Sequence, residues 1–238
     1  MSEEDRGQII KLNHFELDRR IGGFPMPTLT VIEGMNDTGK SVLVQQITYG
    51  ALKGGFRVRY ITTENTVRSL VKQMKALTFD VKLYFLAGRL MVTELHVSGI
   101  SWNQFISKRY LNMLLRLIEI DEKNNIFIID SLTYIVTHAV ERDILEFFST
   151  LRKIVDENIK SVFITIHPYA FDEELLIRIR SICDGHISLN MKEVGGRMVR
   201  FISINKLRGA LKPTNTIISF EVDPAFGIKV LPFSQAKA

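Results

Sequence analysis

The chain has few of the features that would place it outside the cell or within a membrane. It contains a single cysteine, Cys183, so it can form neither an intrachain disulfide nor a cysteine-based metal cluster. No uninterrupted apolar run approaches the roughly eighteen residues that a membrane-spanning helix needs. The first residues, Met-Ser-Glu-Glu-Asp-Arg, lack the apolar segment of a secretory signal. These absences predict a cytoplasmic protein.

The chain also lacks a strong charge of either sign. Its 31 basic and 26 acidic residues leave a net charge of +5, which is spread along the sequence. So small an excess favours an ordinary solvated surface over a nucleic-acid-binding one. With 238 residues, no repeat and no low-complexity segment, we expect one domain over residues 1–238, in which residues 1–14 form a flexible lead-in.

The most informative motif that is present is a phosphate-binding loop at residues 34–41. These residues read Gly-Met-Asn-Asp-Thr-Gly-Lys-Ser, which is a complete G-x-x-x-x-G-K-S pattern. An apolar strand at residues 29–32 precedes it and a helix follows it, as the motif requires. Backbone N–H groups and the helix N-terminus bind phosphates in such loops, the lysine reaches the β- and γ-phosphates, and the Ser hydroxyl binds Mg²⁺. We therefore expect the nucleotide to contact Asn36, Asp37, Thr38, Gly39, Lys40, Ser41 and Val42.

Hydrophobic patterns predict an α/β fold. Apolar runs at residues 29–32, 57–63, 126–130 and 161–167 indicate buried strands, and helical spacing recurs over residues 65–77, 102–120 and 141–158. Strands that alternate with helices form a mainly parallel sheet with helices on both faces. The short runs at 81–85 and 90–92 are β-like, but periodicity does not settle them. Residues 185–191, 198–206 and 216–222 predict antiparallel strands added at one edge of the sheet.

Three further residues are candidates for the chemistry of a bound triphosphate. Asp130 ends an apolar run, and we expect its strand to lie beside the loop strand so that the carboxylate holds Mg²⁺ opposite Ser41. Glu64 follows the second strand and is a candidate water-orienting carboxylate, although the start of a helix also favours an acid. His167 ends another strand, where it is either a sensor of the γ-phosphate or a structural histidine.

Lys206 and Arg208 close a late strand just before a glycine. Two cations spaced two residues apart on a strand point to the same face, so both could reach one target. A phosphate bound on a neighbouring subunit is one such target, but from the residues alone a solvated turn is the simpler interpretation.

Together these motifs resemble the KaiC-like branch of the RecA-like ATPases over residues 15–230. The resemblance rests on the loop at 34–41, Glu64, Asp130 followed by Ser131, His167 and the segment 205–209. It implies a RecA-like P-loop NTPase core that binds ATP with Mg²⁺. It also implies that Lys206 and Arg208 reach across a subunit interface to the neighbour's γ-phosphate, within a homo-oligomeric and most simply hexameric ring.

More narrowly, the chain is similar to the KaiC-like proteins of the archaellum motor. That resemblance implies an ATP-binding regulatory and assembly subunit beside the motor ATPase FlaI, inside a cytoplasmic ring scaffold, with only indirect membrane association. KaiC-type hydrolases usually carry two adjacent glutamates where this chain has Glu64 and Asn65. Loss of a general base costs about 10²–10⁴-fold in rate, so we expect slow or absent hydrolysis.

Two alternatives remain open at this point. A recombinase-like DNA-repair paralogue requires basic, glycine-rich loops after the strands that end in Asp130 and His167. Residues 133–140 contain no lysine or arginine, and residues 168–176 include three acids, so nucleic-acid binding is disfavoured. A KaiC-like signalling ATPase or autokinase requires robust turnover, which the Glu64-Asn65 pair disfavours.

Overall fold

A nine-stranded, mainly parallel sheet organises the chain. The computed structural model describes residues 8–95, 97, 99–212, 216–224 and 226–232. The strands are β1 (Ile9–Ile10), β2 (Phe24–Pro25), β3 (Thr28–Gly34), β4 (Val58–Thr62), β5 (Leu90–Glu94), β6 (Ile126–Asp130), β7 (Ser161–Ile166), β8 (Gly185–Val194), β9 (Arg197–Leu207), β10 (Thr216–Asp223) and β11 (Gly227–Val230). The helices are α1 (Phe15–Ile21), α2 (Lys40–Lys53), α3 (Val67–Ala76), α4 (Lys82–Leu86), α5 (Gln104–Ile120), α6 (Thr133–Val136), α7 (Glu141–Glu157) and α8 (Glu173–Ile182).

The strand order is β11-β10-β9-β8-β3-β7-β6-β4-β5, and β1 and β2 form a separate pair. The strands from β8 to β5 in this order are mutually parallel, whereas β9, β10 and β11 continue the sheet in antiparallel fashion. The predicted fold class is therefore confirmed, including the antiparallel C-terminal strands. Only the first of the three predicted antiparallel strands differs in part: β8 pairs parallel with β3 on its inner side and antiparallel with β9 on its outer side.

Continuous apolar composition in the central strands reflects burial on both faces. Every residue of β3, β6 and β7 is buried. Because successive strand side chains point to opposite faces, Leu29 and Val31 enter one core cluster and Ile32 enters the other. The first cluster packs under α5, α7 and α8, and the second under α1, α2 and α3. Helices thus cover both faces of the sheet.

Strand order corrects one expectation about the site. Asp130 was expected on a strand beside the loop strand, but β7 lies between β3 and β6. Periodicity identifies strands and contains no information about their lateral order, which depends on the helical crossovers. As a result, His167 follows β7, which is next to the loop strand β3, and Asp130 ends β6, which is one strand further away.

Several local elements also differ from the sequence-based expectation. The β-like run at 81–85 forms most of α4. At the start of this helix the Lys82 N–H donates a hydrogen bond to Asp80 Oδ1 at 3.1 Å. The run beginning at 90 is the edge strand β5. Helix α8 and strand β11 were not predicted. The Asp172 side chain caps the start of α8, and Leu175 and Ile179 are buried beneath it.

The N-terminal segment is packed where the structure describes it, in contrast to the expected flexible lead-in. Residues 1–7 lie outside the described residues. Ile10 and Leu12 are fully buried in the core, and Gln46 of α2 donates a hydrogen bond to the Leu12 carbonyl at 2.7 Å. Apolar residues in a polar stretch carried too weak a periodic signal to predict this packing.

Candidate nucleotide-binding site

The phosphate-binding loop connects the end of β3 to the start of α2. A Cβ at Gly34 would lie 2.6 Å from Thr38 Oγ1 and 2.7 Å from the Leu189 carbonyl, so the strand end has no room for a side chain. Gly39, directly before the helix, has φ +96, a conformation that favours glycine. The loop therefore needs its two glycines for space and for backbone conformation respectively.

Lys40 extends from the first residue of α2 back over the loop. Its Nζ donates a hydrogen bond to the Met35 carbonyl at 2.8 Å, and the side chain is buried. Burial lowers the pKa of Lys40, and the negative charges of Asp130 and Glu64 oppose that decrease. The Lys40 amine is therefore held within the loop, which is where a bound phosphate would need a cation.

Three hydroxyl groups surround Asp130. Ser41 Oγ donates to Asp130 Oδ1 at 3.2 Å and Thr165 Oγ1 donates to the same oxygen at 2.7 Å. Tyr60 donates to Oδ2 at 2.6 Å, and burial together with the Asp130 charge raises the pKa of Tyr60 well above its usual value. A carboxylate beside a serine hydroxyl is a donor set that suits Mg²⁺, and Tyr60 and Thr165 fix its orientation. These residues therefore fit the predicted metal position.

Glu64 lies in the same cavity as Asp130. Ser131 Oγ donates a hydrogen bond to Glu64 Oε1 at 3.3 Å. Partial burial and the Asp130 charge raise the pKa of Glu64. The next residue, Asn65, is directed elsewhere, since its Oδ1 accepts hydrogen bonds from Ser69 and Gln73 of α3. One carboxylate therefore faces the cavity from this segment.

His167 is held by α6. Its backbone N–H donates to Thr133 Oγ1 at 3.0 Å, and that oxygen lies 2.9 Å from the ring Nδ1. Burial and the nearby Lys40 charge lower the pKa of His167 to about 4, so the ring is neutral at neutral pH. If the Thr133 hydroxyl donates to Nδ1, the ring proton is on Nε2, which then acts as a neutral donor.

A cavity of about 610 Å³ brings most of the predicted residues together. Its lining includes Asn36, Asp37, Gly39, Lys40, Ser41, Val42, Glu64, Asp130 and His167. Thr38 is not in the lining, since it is buried and its hydroxyl donates to the Met35 carbonyl. The lining also includes residues that sequence reasoning missed: Ser131, Tyr169, Arg200 and Val222. For Arg200 and Val222 no sequence signal existed, because only the pairing of β9 and β10 brings them to the loop.

Lys206 and Arg208 are outside this cavity. Lys206 Nζ donates to the carbonyls of Arg180, Ser181 and Cys183 at the end of α8, at 3.0, 3.1 and 2.6 Å. Arg208 Nη1 lies 3.4 Å from Asp184 Oδ1, and its side chain is 55% exposed. Within one subunit Lys206 therefore contacts the end of α8 and Arg208 contacts Asp184.

Comparison with known proteins identifies the family. The family described as "ATPase: KaiC" matches residues 13–235. This chain belongs to the KaiC-like ATPases. It is 38% identical to the archaeal flagellar ATP-binding protein FlaH of Sulfolobus acidocaldarius, over 97% of this chain and all of that protein.

Solved structures agree with this assignment. The flagellar accessory protein FlaH of Methanocaldococcus jannaschii superposes with a TM-score of 0.80 at 27% identity, covering 94% of this chain and 98% of that one. A KaiC-like protein of Pyrococcus horikoshii superposes with a TM-score of 0.75 at 25% identity, covering 95% and 100%. The resemblance stated from the motifs is confirmed. Across the described residues, no helix is both long enough and apolar enough to cross a membrane.

Proposed function

We propose that this chain binds ATP with Mg²⁺ and acts as a regulatory and assembly subunit of the archaellum motor. The names of its FlaH relatives, an archaeal flagellar ATP-binding protein and a flagellar accessory protein, support this role. In this proposal, ATP occupancy controls the assembly of subunits into a ring, most simply a hexamer. The ring docks on the motor ATPase FlaI within a ring scaffold, in the cytoplasm and peripheral to the membrane-embedded motor.

The observation that carries the proposal is the convergence of distant residues on one cavity. Ser41 and Asp130 are 89 residues apart in sequence, yet Ser41 Oγ lies 3.2 Å from Asp130 Oδ1. Lys40 and the loop backbone line the same cavity. The loop amides and Lys40 would hold the phosphates, while Ser41 and Asp130 would hold Mg²⁺, which neutralises phosphate charge when bound.

The proposal of slow or absent hydrolysis rests on the carboxylates that the segment after β4 offers as a general base. Glu64 is the acid that faces the cavity from the segment after β4, and its oxygen is engaged by Ser131. Asn65 can accept no proton and is bonded to α3 instead. We therefore propose that ATP acts mainly as a ligand, and that turnover is at least about 10²-fold below that of a two-glutamate enzyme.

Lys206 and Arg208 are proposed to contact the γ-phosphate held by a neighbouring subunit. Neither residue lines the cavity of its own subunit, which leaves both available for a role across an interface. Arg208 is the more available of the two, because its side chain is 55% exposed and its Asp184 contact is long. Lys206 must exchange carbonyl partners to reach a phosphate.

The DNA-repair alternative finds little support in the fold. Residues 133–136 form α6, and Pro168–Ala170 forms a short 3-10 helix that leads to α8. The segments that a recombinase uses as DNA-binding loops are thus short and structured here. Tight, salt-dependent binding to single-stranded DNA would restore that alternative.

Calorimetric titration tests nucleotide binding. Nucleotide-stripped wild-type protein is titrated with Mg-ATP beside Lys40→Ala and, as a matched control, Lys72→Ala, which removes an exposed lysine of α3. We expect binding by the wild type and by the Lys72 variant, and at least about a hundredfold loss for Lys40→Ala, because a buried ammonium partner of phosphate is removed. Absence of heat for the wild type would contradict the whole proposal.

Light scattering after size exclusion tests ring formation. We expect Mg-ATP to increase the mass of the wild type, and Arg208→Ala to reduce that increase without loss of nucleotide binding. Arg116→Ala, which removes an exposed arginine of α5, is the matched control. Pull-down with FlaI, with and without Mg-ATP, then tests docking. Identical masses and identical capture under all conditions would remove the nucleotide-dependent switch.

A further inference from the structure

Arg200 contributes a second cation to the nucleotide cavity from an unexpected part of the fold. It lies on β9, one of the antiparallel strands beyond the parallel core, and pairs with Phe220 of β10. Its side chain nevertheless lines the same cavity as Lys40. The antiparallel extension therefore supplies part of the wall of the nucleotide site.

Arg200 braces the phosphate-binding loop directly. Its Nε donates a hydrogen bond to the Asp37 carbonyl at 2.8 Å. A Cβ at Gly39 would lie 3.0 Å from the Phe220 ring and 3.7 Å from Arg200 Cδ, so both side chains support the loop from one side. In a trans peptide the carbonyl and the following N–H point in opposite directions. Because Arg200 fixes the Asp37 carbonyl, the Thr38 N–H points away from Arg200. Backbone N–H groups of phosphate-binding loops are the groups that bind phosphate.

The guanidinium group retains donors after this contact. Arginine carries five N–H donors, of which the Nε contact uses one, so four remain on Nη1 and Nη2. Among the described residues, no carboxylate lies within ion-pairing distance of Arg200. The cavity lining contains three acids, Asp37, Glu64 and Asp130, against two cations. A polyphosphate is the kind of ligand that a forked cation beside a phosphate-binding loop recognises.

We propose that Arg200 binds the phosphate chain of the nucleotide within its own subunit while its Nε holds the loop in the binding conformation. This inference rests on the proposed binding of ATP and adds a cis contact from β9. Through this contact, nucleotide binding would affect β9 and β10, because Arg200 belongs to the hydrogen-bonded ladder between these two strands.

Titration calorimetry on the nucleotide-stripped full chain tests the proposal, with Mg-ATP as the probe. Arg200→Gln keeps an N–H donor for the Asp37 carbonyl but removes the charge, whereas Arg200→Lys keeps the charge. The matched control is Arg197→Gln, an exposed arginine of the same strand that is not part of the cavity lining. We expect about a 10- to 100-fold loss of affinity for Arg200→Gln, a smaller loss for Arg200→Lys and less than about a twofold change for Arg197→Gln.

Salt dependence distinguishes a phosphate contact from bracing alone. We expect affinity to fall less steeply with salt in Arg200→Gln than in the wild type, since one cation–phosphate contact is missing. Equal losses in both Arg200 variants with an unchanged salt dependence would overturn the phosphate contact. An Arg200→Gln affinity equal to that of Arg197→Gln would overturn the proposal while ATP binding stands. A wild type that binds no Mg-ATP would overturn both. Thermal melting without nucleotide confirms that each variant is folded.

Discussion

Gly50→Ala is the sharpest test of how the N-terminal segment is built into the fold. Gly50 lies inside α2, where alanine is ordinarily more favourable than glycine by about 1 kcal/mol. Here a Cβ would lie 2.2 Å from the Lys11 carbonyl oxygen and 2.4 Å from the Leu12 carbonyl carbon. Ordinary contacts between carbon atoms are about 3.5–4.0 Å. Because both clashing atoms belong to the backbone, the segment itself must move.

The decrease in the free energy of unfolding depends on the apolar side chains that the N-terminal segment buries. Ile10 and Leu12 are both 0% exposed, and exposing each costs about 1.5–3 kcal/mol. Loss of the Gln46 hydrogen bond to the Leu12 carbonyl costs about 1 kcal/mol, which the gain in helix propensity offsets. Full displacement therefore lowers the free energy of unfolding by about 3–6 kcal/mol, and partial displacement lowers it by less.

Urea unfolding of four proteins provides the assay: the full chain and a chain that lacks residues 1–13, each with glycine or alanine at position 50. We expect Gly50→Ala to destabilise the full chain by at least about 2 kcal/mol. In the shortened chain we expect it to stabilise by about 1 kcal/mol, because the clash is gone. A full-length variant as stable as the wild type would refute the reasoning, and so would the same loss in both backgrounds.

Three further predictions concern the ionisable groups of the site. Tyr60→Phe removes a 2.6 Å hydrogen bond to the Asp130 carboxylate, so we expect urea unfolding to show a loss of about 1.5–3 kcal/mol; a loss below about 0.5 kcal/mol contradicts this. His167 has a folded pKa of about 4 against 6.5 when unfolded, so the unfolded chain binds the proton first and stability falls from pH 6.5 to 4. His167→Gln should lose less stability than the wild type over that interval, and parallel pH curves refute the assignment. The raised pKa of Glu64 means that its ionised form destabilises the fold, so Glu64→Gln should be the more stable protein at pH 7, with the difference vanishing in acid. A difference that persists at low pH contradicts the charge argument.

The loop and the carboxylate at the end of β6 could be predicted because each is a local pattern. The glycines, Lys40 and Ser41 occupy fixed positions in a short motif, and Asp130 terminates an apolar run. The amphipathic helices α5 and α7 were likewise predictable, since their buried residues recur with helical spacing.

What could not be predicted depends on contacts between distant parts of the chain. The position of β7 between β3 and β6 is a property of the sheet and leaves no mark on any one strand. Arg200 is 163 residues from the Asp37 carbonyl that it contacts, and nothing in the sequence around it resembles a phosphate-binding motif. Helix α4 is a five-residue element with no buried residue, so its periodicity was too brief to recognise.

The three carbonyls that Lys206 contacts have a consequence for communication between protomers of the proposed ring. A lysine near the C-terminus of a helix satisfies carbonyls that have no partner within the helix and opposes the helix dipole. If Lys206 of one protomer moves to a nucleotide held next door, the last turn of its own α8 loses that support. In the proposed ring, nucleotide bound by one protomer would thus loosen the end of α8 in the adjacent protomer, and binding would be communicated in one direction around the assembly.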